Sequence, residues 1–67
     1  MGKRRVVVEG GGANLYEIYE SGGSFTAYHV RVKLLSDERI RIGSGRSLQD
    51  AIAIIQAHSG HRIKSID

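Results

Sequence analysis

No cysteine occurs in these 67 residues, which excludes both a disulfide framework and a thiolate metal site as braces for the fold. Such a chain suits a reducing compartment, and a cytoplasmic location is expected. Long hydrophobic runs are also missing. None approaches the roughly 20 residues that cross a bilayer, so no membrane partner is expected. The start, Met1-Gly2-Lys3-Arg4-Arg5 before Val6-Val7-Val8, is basic and then apolar in the manner of a signal peptide. Its apolar stretch falls short of the about 7 residues that an h-region needs, and it reads as mature protein. Catalytic signatures are absent too. Ser, His and Asp occur without a spacing that groups them, and Gly43-Ser44-Gly45-Arg46-Ser47 lacks the Lys-Ser/Thr ending of a phosphate-binding P-loop. A non-enzymatic protein without a cofactor is expected.

One small domain spans 1–67, with 1–14 as a basic, glycine-rich segment containing a short strand. A domain of this size buries only about 60% of the surface its unfolded chain exposes, so a homodimer would be a natural supplement to the core. Ten Lys and Arg against seven Asp and Glu give a net charge of +3. That balance leans modestly toward polyanionic partners.

Val6-Val7-Val8 is β-branched and reads as a strand. After the Gly10-Gly11-Gly12 interruption, Leu15 to Glu20 alternates imperfectly, and its aromatic content argues for a second strand; its register is open, and burying Tyr16 and Ile18 would place Leu15, Glu17 and Tyr19 outward. Ser21-Gly22-Gly23-Ser24 signals a hairpin. Phe25 to Leu35 is the longest strand candidate. Tyr28, Val30, Val32 and Leu34 share one face, and His29, Arg31 and Lys33 share the other. Ser36-Asp37-Glu38 supplies a turn, and Arg39-Ile40-Arg41-Ile42 alternates again with isoleucine inward.

Ser47-Leu48-Gln49-Asp50 matches the start of a capped helix. Leu48, Ala51, Ile52 and Ile55 recur on one helical side, with Ile54 and His58 at its margin, and Gly60 is the expected stop. His58 and His61 are three apart, but no nearby acid or cysteine completes a metal site. No metal is expected, and His58 reads as a helix-terminal histidine interacting with the helix dipole. The tail, through Ile63 and Ile66, reads as an edge strand beside Val6–Val8. The fold class is therefore α+β: an antiparallel sheet of three to four strands, covered on one face by a single C-terminal helix, in the order β-β-β-β-α with a short final strand.

A helix on one face leaves the other open. On this reading Arg31, Lys33, Arg39 and Arg41 project from that open face, flanked by His29 and Tyr19 and tempered by Glu17. Arg46, at the helix start, would assist an anion held on free backbone N–H groups. Such cations can meet closely spaced phosphates, and arginine can also read guanine edges. The competing account is a solvated sheet face, which usually mixes charge signs more evenly. A third is a protein–protein interaction module, or a homodimeric accessory protein, with no nucleic acid involved.

Two resemblances bear on this choice. Tyr16-Glu17-Ile18-Tyr19-Glu20-Ser21-Gly22, Phe25-Thr26, Val30-Arg31-Val32, Gly43-Ser44-Gly45-Arg46-Ser47 and Ala51 together resemble the strand-and-last-helix half of a double-stranded RNA-binding domain. That family has a Tyr-rich first strand, an acid-Ser-Gly turn and a Gly-x-Gly-x-Ser lead into its last helix. Leu48-Gln49 stands where its basic pair would be, and residues 1–14 lack the pattern of its first helix. In architecture alone, three strands followed by a helix are similar to the integrase amino-terminal and plant ethylene-response DNA-binding domains, which apply an open sheet face to the major groove. These resemblances imply a nucleic-acid partner, and the residues favour double-stranded DNA over RNA.

Overall fold

The computed structural model describes residues 2–10, 12 and 14–67. Among the described residues are five strands and one helix: β1 (Gly2–Val8), β2 (Leu15–Ser21), β3 (Ser24–Arg31), β4 (Glu38–Gly45), α1 (Leu48–Ser59) and β5 (Ile63–Ile66). The sheet is antiparallel and ordered β4-β3-β2-β1-β5. The α+β class is thus as expected, with one more strand than the upper count. β1 starts at Gly2 rather than Val6, because Gly2 to Val7 pair along β2 from Glu20 to Leu15. The tail does return as a strand, with Val6 opposite Ile66.

The β2–β3 hairpin closes through Gly22 and Gly23 at φ 58° and 82°. Two consecutive left-handed residues are what a two-residue hairpin of matching twist demands, and glycine meets that demand without a steric penalty. At α1, Ser47 Oγ accepts from Asp50 N at 3.1 Å, and Asp50 Oδ2 accepts from Arg46 N at 3.1 Å. The helix stops at Gly60, in left-handed backbone, whose N–H donates to Gln56 O at 2.8 Å.

The core lies between α1 and the sheet. Val6, Val8, Tyr16, Ile18, Ala27, Ala51 and Ile55 are buried there, with Phe25, Ile42, Leu48, Ile52, Ile54 and Ile63 packed around them. A fully buried Ile or Val contributes about 1.5–3 kcal/mol. The helix sits over β3 and β4, where the strand residues beneath it are small. A Cβ on Gly43 would lie only 3.2 Å from Ile54. Ala27 is the cross-strand partner of Gly43 and is fully buried.

That close approach fixes the parity of β3 opposite to the expectation. Ala27 and His29 face the helix with Tyr16 and Ile18, their neighbours on β2 being Ile18 and Tyr16 respectively. Tyr28 and Val30 therefore lie on the open face. β3 ends at Arg31, well before Leu35, and 32–37 connects the strands outside the sheet. Val32, Leu34 and Leu35 are 71%, 99% and 95% exposed, so they form no part of the core. Between β3 and β4 a register shift at Ala27/Tyr28 admits one extra residue on β4. The bulge lets Ile42 and Gly43 both serve the helix side while Arg39 and Arg41 keep to the open face.

Candidate nucleic-acid interface

The register brings four cations to the open face of β1–β4. Arg5 is opposite Glu17 and Lys3 opposite Tyr19; Glu17 is opposite Tyr28, and Tyr28 opposite Arg41. Arg39 is opposite Val30. Residues directly opposite in an antiparallel pair share a face, so Lys3 and Arg5 form a row on β1 and Arg39 and Arg41 a row on β4. Tyr19, Glu17 and Tyr28 occupy the strip between.

Glu17 is only 2% exposed, although it sits on the face without a helix. Both of its carboxylate oxygens are partnered. Arg39 Nε donates to Oε1 at 2.7 Å and Arg39 Nη2 donates to Oε2 at 3.3 Å. The Tyr19 hydroxyl donates to Oε1 at 3.0 Å, and Lys3 Nζ lies 3.6 Å from Oε2. The hydrogen bonds from Arg39 hold the Glu17 carboxyl below its usual range, against an upward push from burial. The same contact raises Arg39. A buried carboxylate is costly unless paired, and here two cations and a phenol satisfy it.

Arg41 Nη2 contacts Ser44 Oγ at 3.3 Å, so it reaches along its own strand rather than toward the carboxylate. Tyr19 and Tyr28 meet with centroids 5.3 Å apart and planes at 83°. Lys3 Nζ lies 6.0 Å from the Tyr19 centroid, close enough for a cation–π contribution.

Arg39, Arg41 and Tyr19 thus lie on the expected face. His29, Arg31 and Lys33 do not. His29 is turned to the helix side, 4.8 Å from the Tyr16 ring and 5.4 Å from the His58 ring by centroid. Arg31 follows the parity of His29, two residues on, and its Nη1 pairs with Glu38 Oε1 at 3.7 Å. Lys33 lies beyond the end of β3 and pairs with the same oxygen at 3.5 Å. The reason is the inverted parity and early end of β3, which leave one carboxylate between these two cations. Arg46 lies at the opposite end of β4, beside the helix start. Of the backbone N–H groups there, Arg46 N is taken by Asp50 and Asp50 N by Ser47.

Lys3 and Arg5 stand on this face as well, although the sequence placed them only in a basic terminal segment. Their signal was available: counting back by two from Val7 places Arg5 and Lys3 on one face of an extended strand. His58, expected to act on the helix end, instead shares a 2.9 Å hydrogen bond between its Nδ1 and the buried Tyr16 hydroxyl.

Elsewhere, Val7, Leu15, Val30, Arg31 and Val32 line a groove of about 470 Å³ at one end of the open face. Among the described residues no three His, Cys, Asp or Glu side chains converge as a metal site, and no helix is long and apolar enough to cross a membrane. No family model, curated protein or solved structure matches the chain.

Proposed function

We propose that this protein is a non-enzymatic nucleic-acid-binding domain that engages phosphates with the open face of its sheet. The observation that carries the reading is the charge of that face. Among the described residues, Lys3, Arg5, Arg39 and Arg41 share it with Glu17, which Lys3 and Arg39 already neutralise, and with Asp67 at the sheet edge, whose N–H donates to Arg5 O at 2.8 Å. A surface made only for solubility would intersperse both signs. Here Arg5 and Arg41 stand on opposite sides of a polar and aromatic strip, outside the ion pairs around Glu17.

The test is a salt titration of binding to labelled oligonucleotides. Each phosphate neutralised steepens the log–log slope by about 0.9 on duplex DNA and about 0.7 on single strands. Arg5 and Arg41, the two cations outside the Glu17 cluster, set a slope of about 1.8 on duplex, and all four would set about 3.6 were Lys3 and Arg39 to leave Glu17. Arg5→Ala with Arg41→Ala should flatten the slope toward zero while circular dichroism stays unchanged. Absence of binding to any nucleic acid at low salt would end this reading.

One observation favours a second reading. Leu34 and Leu35 are almost wholly exposed beside Val32, and clustered exposed apolar side chains mark protein interfaces. A protein-interaction module, or a homodimer closed through this segment, would bury them. Sedimentation of the free protein distinguishes the homodimer from the monomer.

A further inference from the structure

The open face has more than charge. Its two tyrosines lie between the cation rows, and its width limits what can dock there. Five strands span four inter-strand spacings, about 19 Å at ~4.8 Å each, and the rows on β1 and β4 are three spacings or about 14 Å apart. The major groove of B-form DNA is about 12 Å wide. A two-stranded ribbon fits such a groove, but a sheet whose cations lie on its first and fourth strands cannot insert both rows together. A duplex laid on the face would also keep its bases stacked on one another, out of reach of the tyrosine rings.

An unpaired strand meets neither obstacle. Its bases can turn down onto the aromatic strip while its phosphates lie toward Arg41 and Arg39 on one side, or Arg5 and Lys3 on the other. Aromatic rings between basic rows are the general means of holding single strands without sequence preference, since every base has a π-face. We propose that the ligand of this face is a single-stranded nucleic acid, with one base stacked on the Tyr19–Tyr28 pair. This rests on the nucleic-acid reading given above and replaces the duplex DNA expected from the sequence.

The count of one base follows from the ring geometry. With planes at 83° and centroids 5.3 Å apart, a base lying parallel to one ring stands across the other. The pair therefore offers a single stacking position. Its floor is stiff, because Tyr19 is tied to Glu17 and Glu17 to Arg39. Tyr28 lies directly between Glu17 and Arg41 across the strands, adjacent to a phosphate-binding arginine. A base on Tyr28 and its phosphate on Arg41 would be neighbouring groups of one nucleotide.

The experiment is fluorescence anisotropy with labelled twelve-residue oligothymidylate, the matching oligouridylate, and a twelve-base-pair duplex, all at low salt. The wild-type chain should bind both single strands more tightly than the duplex. Tyr28→Leu, which keeps apolar bulk but has no π-face, should weaken single-strand binding by about fivefold to 160-fold, the range spanned by stacking one base. Tyr28→Phe should stay within about twofold of wild type, as its ring faces are retained. Circular dichroism of both variants reports whether the fold is kept, and Phe against Leu separates stacking from packing. Duplex binding as tight as single-strand binding, with Tyr28→Leu unaffected, would overturn the stacking inference and leave the basic face standing. Failure of all three probes to bind would overturn both.

Discussion

Replacing Glu17 by glutamine should move stability and nucleic-acid affinity in opposite directions. The variant keeps the side-chain volume and one carbonyl acceptor for the Tyr19 hydroxyl. It loses the charge that receives two hydrogen bonds from Arg39 and an ion pair from Lys3. Hydrogen bonds to charged groups contribute about 1.5–3 kcal/mol. Removing one partner of a fully buried pair costs about 3–5 kcal/mol, because the other is left dry. Here the Arg39 and Lys3 side chains are 37% and 45% exposed, so they recover hydration and the lower range applies. A loss of about 1.5–3 kcal/mol corresponds to a Tm about 10–20 °C lower in a domain of this size. The same change releases two cations to the open face. The salt-dependence slope should steepen by about 1.4 on single strands, and affinity at low salt should rise. Thermal melts followed by circular dichroism and anisotropy against salt measure both effects on one preparation. A variant as stable as wild type, or one that is destabilised and binds more weakly at every salt, would refute the reasoning.

The same carboxyl sets an acid limit. Its folded pKa lies below the ordinary value of 4.5, chiefly through Arg39, so its stabilisation is complete above that value. It is lost as pH falls from there through the folded pKa; acid titration of wild type should show this loss and Glu17→Gln should lack it. Leu34→Ser with Leu35→Ser should leave monomer stability within about 0.5 kcal/mol, since neither side chain is covered; a large fall in Tm would mean that the segment packs on the domain. Gly45→Ala should destabilise by about 1–3 kcal/mol. The added Cβ would run into the Asp50 side chain, forcing apart β4 and the start of α1, and urea unfolding would record a lower midpoint with an unchanged slope.

Helix α1 was legible because its signals are local. Ser47 and Asp50, the Leu48/Ala51/Ile52/Ile55 stripe and Gly60 all lie within fourteen consecutive positions, and each does what its residue type suggests. β2 was legible as a strand but not in its facing, since Leu15, Tyr16, Ile18 and Tyr19 put apolar or aromatic residues on both sides; the structure buries Tyr16 and Ile18 under the helix. The facing of β3 was not legible either. Its centre is apolar on both faces, with Ala27 under the helix and Val30 buried on the other side, so hydrophobicity alone does not choose. What chooses is size: the helix comes close over Gly43 and its partner Ala27. The run Val32-Lys33-Leu34-Leu35 then continued the alternating pattern past the point where the strand stops. In β1, Lys3-Arg4-Arg5 read only as part of a basic terminal segment because its pairing partners on β2, Glu17 to Tyr19, are at least a dozen residues away. Parity and partner together, not composition, moved the basic face from Arg31 and Lys33 to Lys3 and Arg5.

β1 lies between β2 and β5, so the first strand of the sheet acquires its second neighbour from residues 63–66. A ribosome delivers those residues nearly a whole domain later. During that interval the Val6–Val8 rim is a bare template, able to recruit a strand from another nascent chain.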